Sequence, residues 1–468
     1  MHILRIFCYT LIMLSIGKKN PLLTGFYSIL FSLAFPVILQ NLLQTLVNMM
    51  DTIMVGRLGA TEIAAVGLGN QIFFMLTMVT FGISSGGAIF ISQFWGAKDL
   101  QGIRKTFGIM LLACGSVALI FMFFAFTVPH RLIGLYSNDE AVIREGARYL
   151  RVVAISYPVM TFSFTCHMAF RSTERVILPM VTTAISFALN VTLNALLIFG
   201  CAPLGIPRFG VVGAAIATVL ARSAELIVTI AYSRAKKYEI ISNLKELLGF
   251  DGEFIVKLIK IAAPVLLSET LWGLGITTQS SIFSHAGTES FAAFSIMNTV
   301  NQLTWVFFIG MGSASSVILG KKIGAGEEEA ARAYTNRFCW FFPLSGAFIG
   351  LFLYPISKVL PFIFNVSPQI IAAAQSMMIV LMCVYPARAF NMLIIVGVCR
   401  SGGDTVFASI LDNSWMWLFA IPLGMIATFV WHLPAWQILL CLESEQIFKV
   451  GCGILRVRSG KWLHNLTH

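Results

Sequence analysis

Few polar side chains interrupt the long apolar runs of this chain, and those few are of types that bind small cations or carry protons. Asp51 stands 15 residues after Pro36, about 22 Å further along a helix. That puts it in the outer half of the first run, before the Gly56–Gly59 turn. Asn190 and Asn194 are four apart and so share one helix face, and Thr218 follows in the next run. A carboxylate, amide carbonyls and a hydroxyl are hard oxygen ligands suited to a small cation. Protonation of Asp51 would neutralise the same pocket equally well. Glu269, five residues past Pro264, stands near the middle of the seventh run, with Trp272 three residues on. A buried carboxylate there can take and release a proton. Alternatively it draws a cationic substrate, for which Trp272 offers a cation–π face.

Each residue also has a plainer reading. Asp51 could cap its turn at the water interface, and the two amides could be glue between helices. Glu269 could be paired with a basic residue, Arg222 or Arg388. Glu225 follows Arg222 by three on one helix face and reads as its neutralising partner. An ion at mid-membrane costs about 2.5–3.5 kcal/mol on insertion scales, so each exception needs a reason. That weighs Asp51 and Glu269 toward function, and the sequence assigns no role to Asp412 or Arg388.

The elements that carry these residues follow from composition. Hydrophobic residues are 57% of the 468, charged residues only 11%, and Phe alone numbers 39. A soluble domain carries about 25% charged residues, and the mean hydropathy is +0.84. Lipid must therefore be the solvent for most of the chain. Apolar runs of about 20 residues predict helices rather than barrel strands. Twelve spans are expected, near 28–54, 63–94, 106–128, 146–170, 176–199, 211–233, 255–283, 291–319, 336–362, 371–398, 406–430 and 434–454. One set of loops and ends carries eighteen Lys and Arg, including Lys98, Arg171, Lys321 and Arg400; the other carries seven. The positive-inside rule makes the first set cytoplasmic, with both termini inside. The net charge of +11 is thus a matter of orientation, and nucleic acid is discounted as a partner. Met1–Ile16 lacks a small-residue cleavage site and reads as an interfacial segment, or as an over-extended start with the true one near Met13.

An internal repeat orders the spans. At an offset of 228, Pro36-Val37 meets Pro264-Val265, Gly59 meets Gly287, Asn70 meets Asn298, and Gly82 meets Gly310. Gly96-Ala97 meets Gly324-Ala325 and Tyr157-Pro158 meets Tyr385-Pro386, while Arg171 meets Arg400 one residue out of step. The expected fold is therefore an all-α membrane protein of two pseudo-symmetric six-helix lobes around a central cavity. The lobes are read at 21–237 and 254–455, after an extension at 1–20, with a polar linker at 238–253 and a basic cytoplasmic tail at 456–468. Even-numbered halves share one sense in the membrane, a plan that suits rocking of one bundle against the other around a mid-membrane site. The acidic groups are not copied: Asp51 maps onto Gln279, and Glu269 onto Asn41.

Nothing here resembles a soluble enzyme site. There is no P-loop, HExxH or GxSxG, and the nine cysteines form no CxxC. No cofactor is expected beyond Na⁺ or H⁺ as a coupling ion, and no obligate protein partner is evident. A membrane-embedded enzyme would need a catalytic cluster that the scattered His and Cys do not supply.

The segment Pro36-Val-Ile-Leu-Gln, continuing to Met50-Asp51-Thr52-Ile53-Met54-Val55-Gly56-Arg57-Leu58-Gly59, resembles the first helix of the multidrug and toxic compound extrusion (MATE) family, NorM/DinF-like in kind. So do Gly213-Ala-Ala-Ile-Ala-Thr218 and Arg400-Ser-Gly-Gly-Asp404-Thr405, and the likeness runs from about Pro21 to Leu466. The resemblance implies a bacterial plasma-membrane antiporter that exports amphipathic, often cationic organic compounds against inward Na⁺ or H⁺. It implies a cation site at Asp51, Asn190, Asn194 and Thr218, and a substrate or proton role for Glu269 with Trp272. The chain departs from the family in two places. A DinF-like pattern has Asp where Asn194 stands, and a NorM-like pattern has an Asp near Ala387–Asn391. A flippase for a lipid-linked glycan or phospholipid is the rival reading; it predicts a cationic groove, for which Arg222 and Arg388 are the candidates.

Overall fold

The computed structural model describes residues 25–467 except 239, 241–243, 248 and 365. The expected extension at 1–20 lies outside the described residues. The long helices are α1 (Phe26–Gly56), α2 (Ala60–Ala97), α3 (Leu100–Thr127), α4 (Glu140–Val153), α5 (Ser156–Ser172), α6 (Ile177–Phe199) and α7 (Val211–Ala235). The second half supplies α8 (Gly252–His285), α9 (Thr288–Gly324), α10 (Glu328–Ile363), α11 (Pro368–Arg400), α12 (Thr405–Phe429), α13 (Ala435–Glu443) and α14 (Glu445–Ser459).

Among the described residues, nine of these helices are long and apolar enough to cross a membrane, ten if α4 and α5 form one span bent by 52°. The other two expected spans are α8 and the broken pair α13–α14. Both carry charge within the span: partly buried Glu269 on α8, and buried Glu443, Glu445 and Lys449 on the pair. Helix starts follow local chemistry. Asp99, Asp139 and Asp251 each accept a hydrogen bond from an amide of the following first turn, at 3.0, 2.8 and 2.8 Å. Large apolar side chains such as Phe123, Trp340, Phe362 and Leu418 remain on the outer surface, where acyl chains cover them.

The pseudo-two-fold is written into the contacts between lobes. Gly82 on α2 packs against Leu266 on α8, and Gly310 on α9 packs against Ile38 on α1. Leu266 and Ile38 are themselves 228 apart, so the second contact is the first one exchanged. The same holds lower down, where Gly96 meets the Lys321 carbonyl and Gly324 meets the Gln93 carbonyl. Any side chain at these glycines would overlap the opposing atoms. Gly96 and Gly324 stand at the basic-loop ends of α2 and α9, with Gly82 and Gly310 nearer mid-helix, so the lobes are sealed together on that side of the cavity.

Residues 460–467, part of the expected basic tail, close over this seam. Gln93 is fully buried and donates to the carbonyls of Ser401 (2.8 Å) and His464 (3.1 Å), while Leu466 N donates back to Gln93 Oε1 at 2.7 Å. Asn465 reaches the Ile323 carbonyl at 3.2 Å, and Trp462 is buried against Gly402. Arg456 is held by both oxygens of Asp404 at 2.7 and 2.9 Å.

The two lobes differ inside. One continuous apolar core runs through the C-terminal lobe and takes in Phe26, Leu30 and Val37 of α1. The N-terminal lobe has two, one toward the outer ends of its helices and one toward the basic loops. A polar cavity is set into this lobe.

Candidate functional site

That cavity has a volume of about 390 Å³ and is walled by α1, α2, α4, α5, α6 and α7. A second cavity of about 460 Å³ lies between the lobes. The two share Asn41, Phe74, Phe164, Met168 and Arg171 as lining.

Asp51, Asn190 and Thr218 line the N-lobe cavity, and Asn194 joins them behind. Asn194 Nδ2 donates to Asp51 Oδ1 at 2.5 Å and to Asn190 Oδ1 at 3.1 Å. Both amides are buried, and Asn194 Oδ1 has no hydrogen-bond partner. Thr218 gives its proton to the Ala214 carbonyl at 3.0 Å, which leaves its hydroxyl oxygen as an acceptor. The cavity wall thus offers one carboxylate, the Asn190 amide oxygen and a hydroxyl oxygen, with no positive charge among the described residues in direct contact with Asp51, while the Asn194 amide turns its N–H to Asp51 and leaves its own oxygen unpartnered. This donor set fits a small hard cation, or a proton on Asp51. No group of three or more His, Cys, Asp and Glu able to hold a metal exists among the described residues.

Deeper in the same cavity runs a network the sequence did not disclose. Arg171 Nε and Nη2 donate to Gln40 Oε1 at 3.1 and 2.6 Å. Gln40 Nε2 lies 3.2 Å from His167 Nδ1 and donates to Thr183 Oγ1, also at 3.2 Å. Thr183 donates to Glu225 at 2.9 Å, and Arg222 joins Glu225 (3.0 Å) to Gln44 (3.1 Å). The Arg222–Glu225 pair is the one the spacing predicted.

In the central cavity, Glu269 and Trp272 both line the wall. Glu269 lies 2.6 Å from Arg400, whose place in the sequence reads as a loop charge. Arg400 is in fact only 3% exposed and Arg171 8%, and both line the cavity. This corrects their expected place in loops. Their recurrence in the repeat was the signal that could have found them. Trp272 stacks on Trp305 with centroids 6.4 Å apart and planes 11° from parallel.

Asp412 and Arg388, unassigned before, now have partners. Arg388 grips both oxygens of Glu443, reaches Asn301 at 3.0 Å and lies over the Trp305 ring at 5.9 Å. Lys449 stands 3.4 Å from Asp412 and 3.0 Å from Glu445. Glu443, Glu445 and Lys449 are not among the residues expected at the site, although Glu445 and Lys449 sit four apart in an apolar run, where charge demands a reason.

Two six-helix lobes around a shared cavity define a polytopic membrane transporter. The chain belongs to the MatE family, whose sequence profile matches residues 36–196 and 264–446. The two matched stretches begin 228 residues apart, the offset of the internal repeat. The chain is 25% identical over 394 residues to the probable multidrug resistance protein YoeA of Bacillus subtilis, with 84% of each chain covered. It is 24% identical to the probable multidrug resistance protein NorM of Thermotoga maritima over 445 residues, with 92% of each covered. Its fold matches the bent form of the Vibrio cholerae MATE transporter VcmN with a TM-score of 0.84 at 18% identity, covering 95% of this chain and all of that one.

Proposed function

We propose that this protein is an antiporter that exports amphipathic organic compounds through the central cavity, driven by inward Na⁺ or H⁺ acting at Asp51. Its lobes are taken as residues 21–237 and 254–455, joined by the linker at 238–253, with both termini on the cytoplasmic side of a bacterial plasma membrane. The observation that carries the reading is Asp51 itself, a carboxylate on the N-lobe cavity with no cationic partner among the described residues, held by Asn194 Nδ2 while the oxygen of that same amide has no donor. A buried acceptor without a donor costs about 1–3 kcal/mol, and a bound cation, or a proton on the carboxylate with local reorientation, removes that cost. Relatives named as multidrug resistance proteins support organic cargo. The cavity fits such cargo, offering Trp272, Trp305, Phe81, Phe164 and several methionines as an adaptable apolar surface.

Antiport requires that ion and cargo compete for one conformational equilibrium. The wall shared by the two cavities, from α1, α2 and α5, gives them a physical route to do so. The flippase rival calls for a groove of uncompensated cations. Three of the four cations in the central cavity already have carboxylate partners, which disfavours that reading.

The test is efflux of a fluorescent organic compound from proteoliposomes under an imposed Na⁺ gradient and, separately, a pH gradient. Export driven by one of the two and lost in Asp51→Asn is the expected result. Export that ignores both gradients, or survives the substitution, would remove Asp51 from the mechanism.

A further inference from the structure

The cations of the central cavity are not equally satisfied. Arg388 is held by Glu443, Arg400 by Glu269, and Lys449 by Glu445 and Asp412. Arg171 has no carboxylate. Two of its nitrogens share one neutral oxygen, Gln40 Oε1, Nη1 has no hydrogen-bond partner among the described residues, and the side chain lines both the central and the N-lobe cavity. Beside it in the lining is Asn41, whose buried Nδ2 has no acceptor. The spot thus presents donors and one uncompensated positive charge, with nothing to receive them.

The repeat explains the imbalance. Arg171 and Arg400 are counterparts, as are Asn41 and Glu269. In the C-terminal half the arginine finds a carboxylate one residue after Ser268; in the N-terminal half the equivalent position, one residue after Gln40, holds an amide. An amide supplies a dipole where a buried guanidinium needs a counter-charge.

We propose that the cargo of the central cavity carries an acidic group, a carboxylate or sulfonate, that Arg171 receives in place of the missing carboxylate. Asn41 adds a second donor, and the apolar body of the ligand lies against the Trp272–Trp305 stack. A planar anion suits guanidinium because two parallel hydrogen bonds form at once. The favoured cargo therefore carries an acidic group, as an amphipathic organic acid or a zwitterion does; the carboxylate expected to attract a cation, Glu269, is already engaged by Arg400. This rests on the central cavity being the cargo path and is independent of the coupling site at Asp51.

The experiment is a titration of the full chain in vesicles of zwitterionic lipid, read by quenching of tryptophan fluorescence. An aromatic sulfonate is compared with its neutral sulfonamide and with a matched aromatic ammonium. Wild type should bind the sulfonate about tenfold or more tightly than the sulfonamide, the range of one charge-assisted hydrogen-bonded contact. Arg171→Gln should abolish that preference and leave sulfonamide binding within about twofold. Asn41→Asp keeps Arg171 but supplies the counter-charge that Arg400 already enjoys, so it should abolish the preference too. The second variant decides the matter if the first does not fold. Vesicles doped with anionic lipid should leave the sulfonate preference intact; competition from the lipid would mean that a headgroup is the natural occupant and would overturn a soluble cargo. Equal binding of all three probes by wild type, or loss of all binding equally in Asn41→Asp, would also overturn the proposal. Gradient-driven export with no acid preference would defeat this inference alone, whereas acid preference without gradient-driven export would defeat only the antiport reading.

Discussion

Ser92 lies directly against Gly320, the residue 228 positions later in the same chain. A position that touches its own repeat counterpart must sit at the pseudo-two-fold axis. The axis therefore passes between α2 and α9 near their basic-loop ends. The flanking contacts, Gly96 with Lys321 and Gly324 with Gln93, are exchanged across it. The seal of the central cavity is thus built from the smallest residues at the place where the two lobes must part if the cavity is to open the other way.

Enlarging one of these residues should force that seam open. Gly324→Leu places side-chain atoms on the Gln93 backbone, which cannot rotate away. In a cysteine-free background carrying Ser316→Cys in the cavity lining, a water-soluble thiol reagent applied from the basic-loop side should react about tenfold faster than in the parent, a shift of about 1.4 kcal/mol in the equilibrium. Unchanged labelling together with normal transport would show that the seam tolerates the bulk and is not the gate.

Asn194→Leu should weaken the ion site more than Thr218→Val. Asn194 supplies both the hydrogen bond to Asp51 and the orphaned oxygen, whereas Thr218 already spends its proton on Ala214. The driving-ion concentration that gives half-maximal efflux should rise about tenfold or more for Asn194→Leu, and less for Thr218→Val. The reverse order would place the ion nearer α7 than α6.

Arg388 and Glu443 form a buried two-pronged pair, so removing one partner strands a charge. Glu443→Gln or Arg388→Met alone should lower stability by about 3–5 kcal/mol, and the double change to Met at both positions should recover much of it. Thermal unfolding of the purified protein in detergent reads this directly. A double variant as unstable as either single one would mean that the pair matters for shape and not for charge compensation.

Much of the fold was legible because the bilayer imposes it. Hydropathy and punctuation placed some helix ends within three residues of those found, as at 63–94 for α2 and 176–199 for α6, and others as far as eight inside, as at the start of α10. The repeat foretold the symmetry, and its single slip has a structural cause. Tyr157 and Tyr385 match at 228, Arg171 and Arg400 at 229, and between Tyr385 and Arg400 α11 winds as a π-helix over Leu393–Arg400. A π turn accommodates one extra residue without turning a helix face away from its neighbours.

What was not legible is which charges meet. Asp51, Asn190, Asn194 and Thr218 could be nominated because they stand as exceptions within apolar runs or at matching helical spacing, both one-dimensional signals. The partner of Glu269 could not, because Arg400 lies 131 positions away at the end of another helix and reads as a loop charge until the helices pack around it. Likewise, no local pattern separates a guanidinium that has found a carboxylate from one left with an amide, as Arg400 and Arg171 do. Hydrophobic periodicity and repetition are properties of the chain itself and determine spans and symmetry. Charge compensation is a short-range interaction between distant segments, decided only once tertiary packing sets their side chains a few ångströms apart.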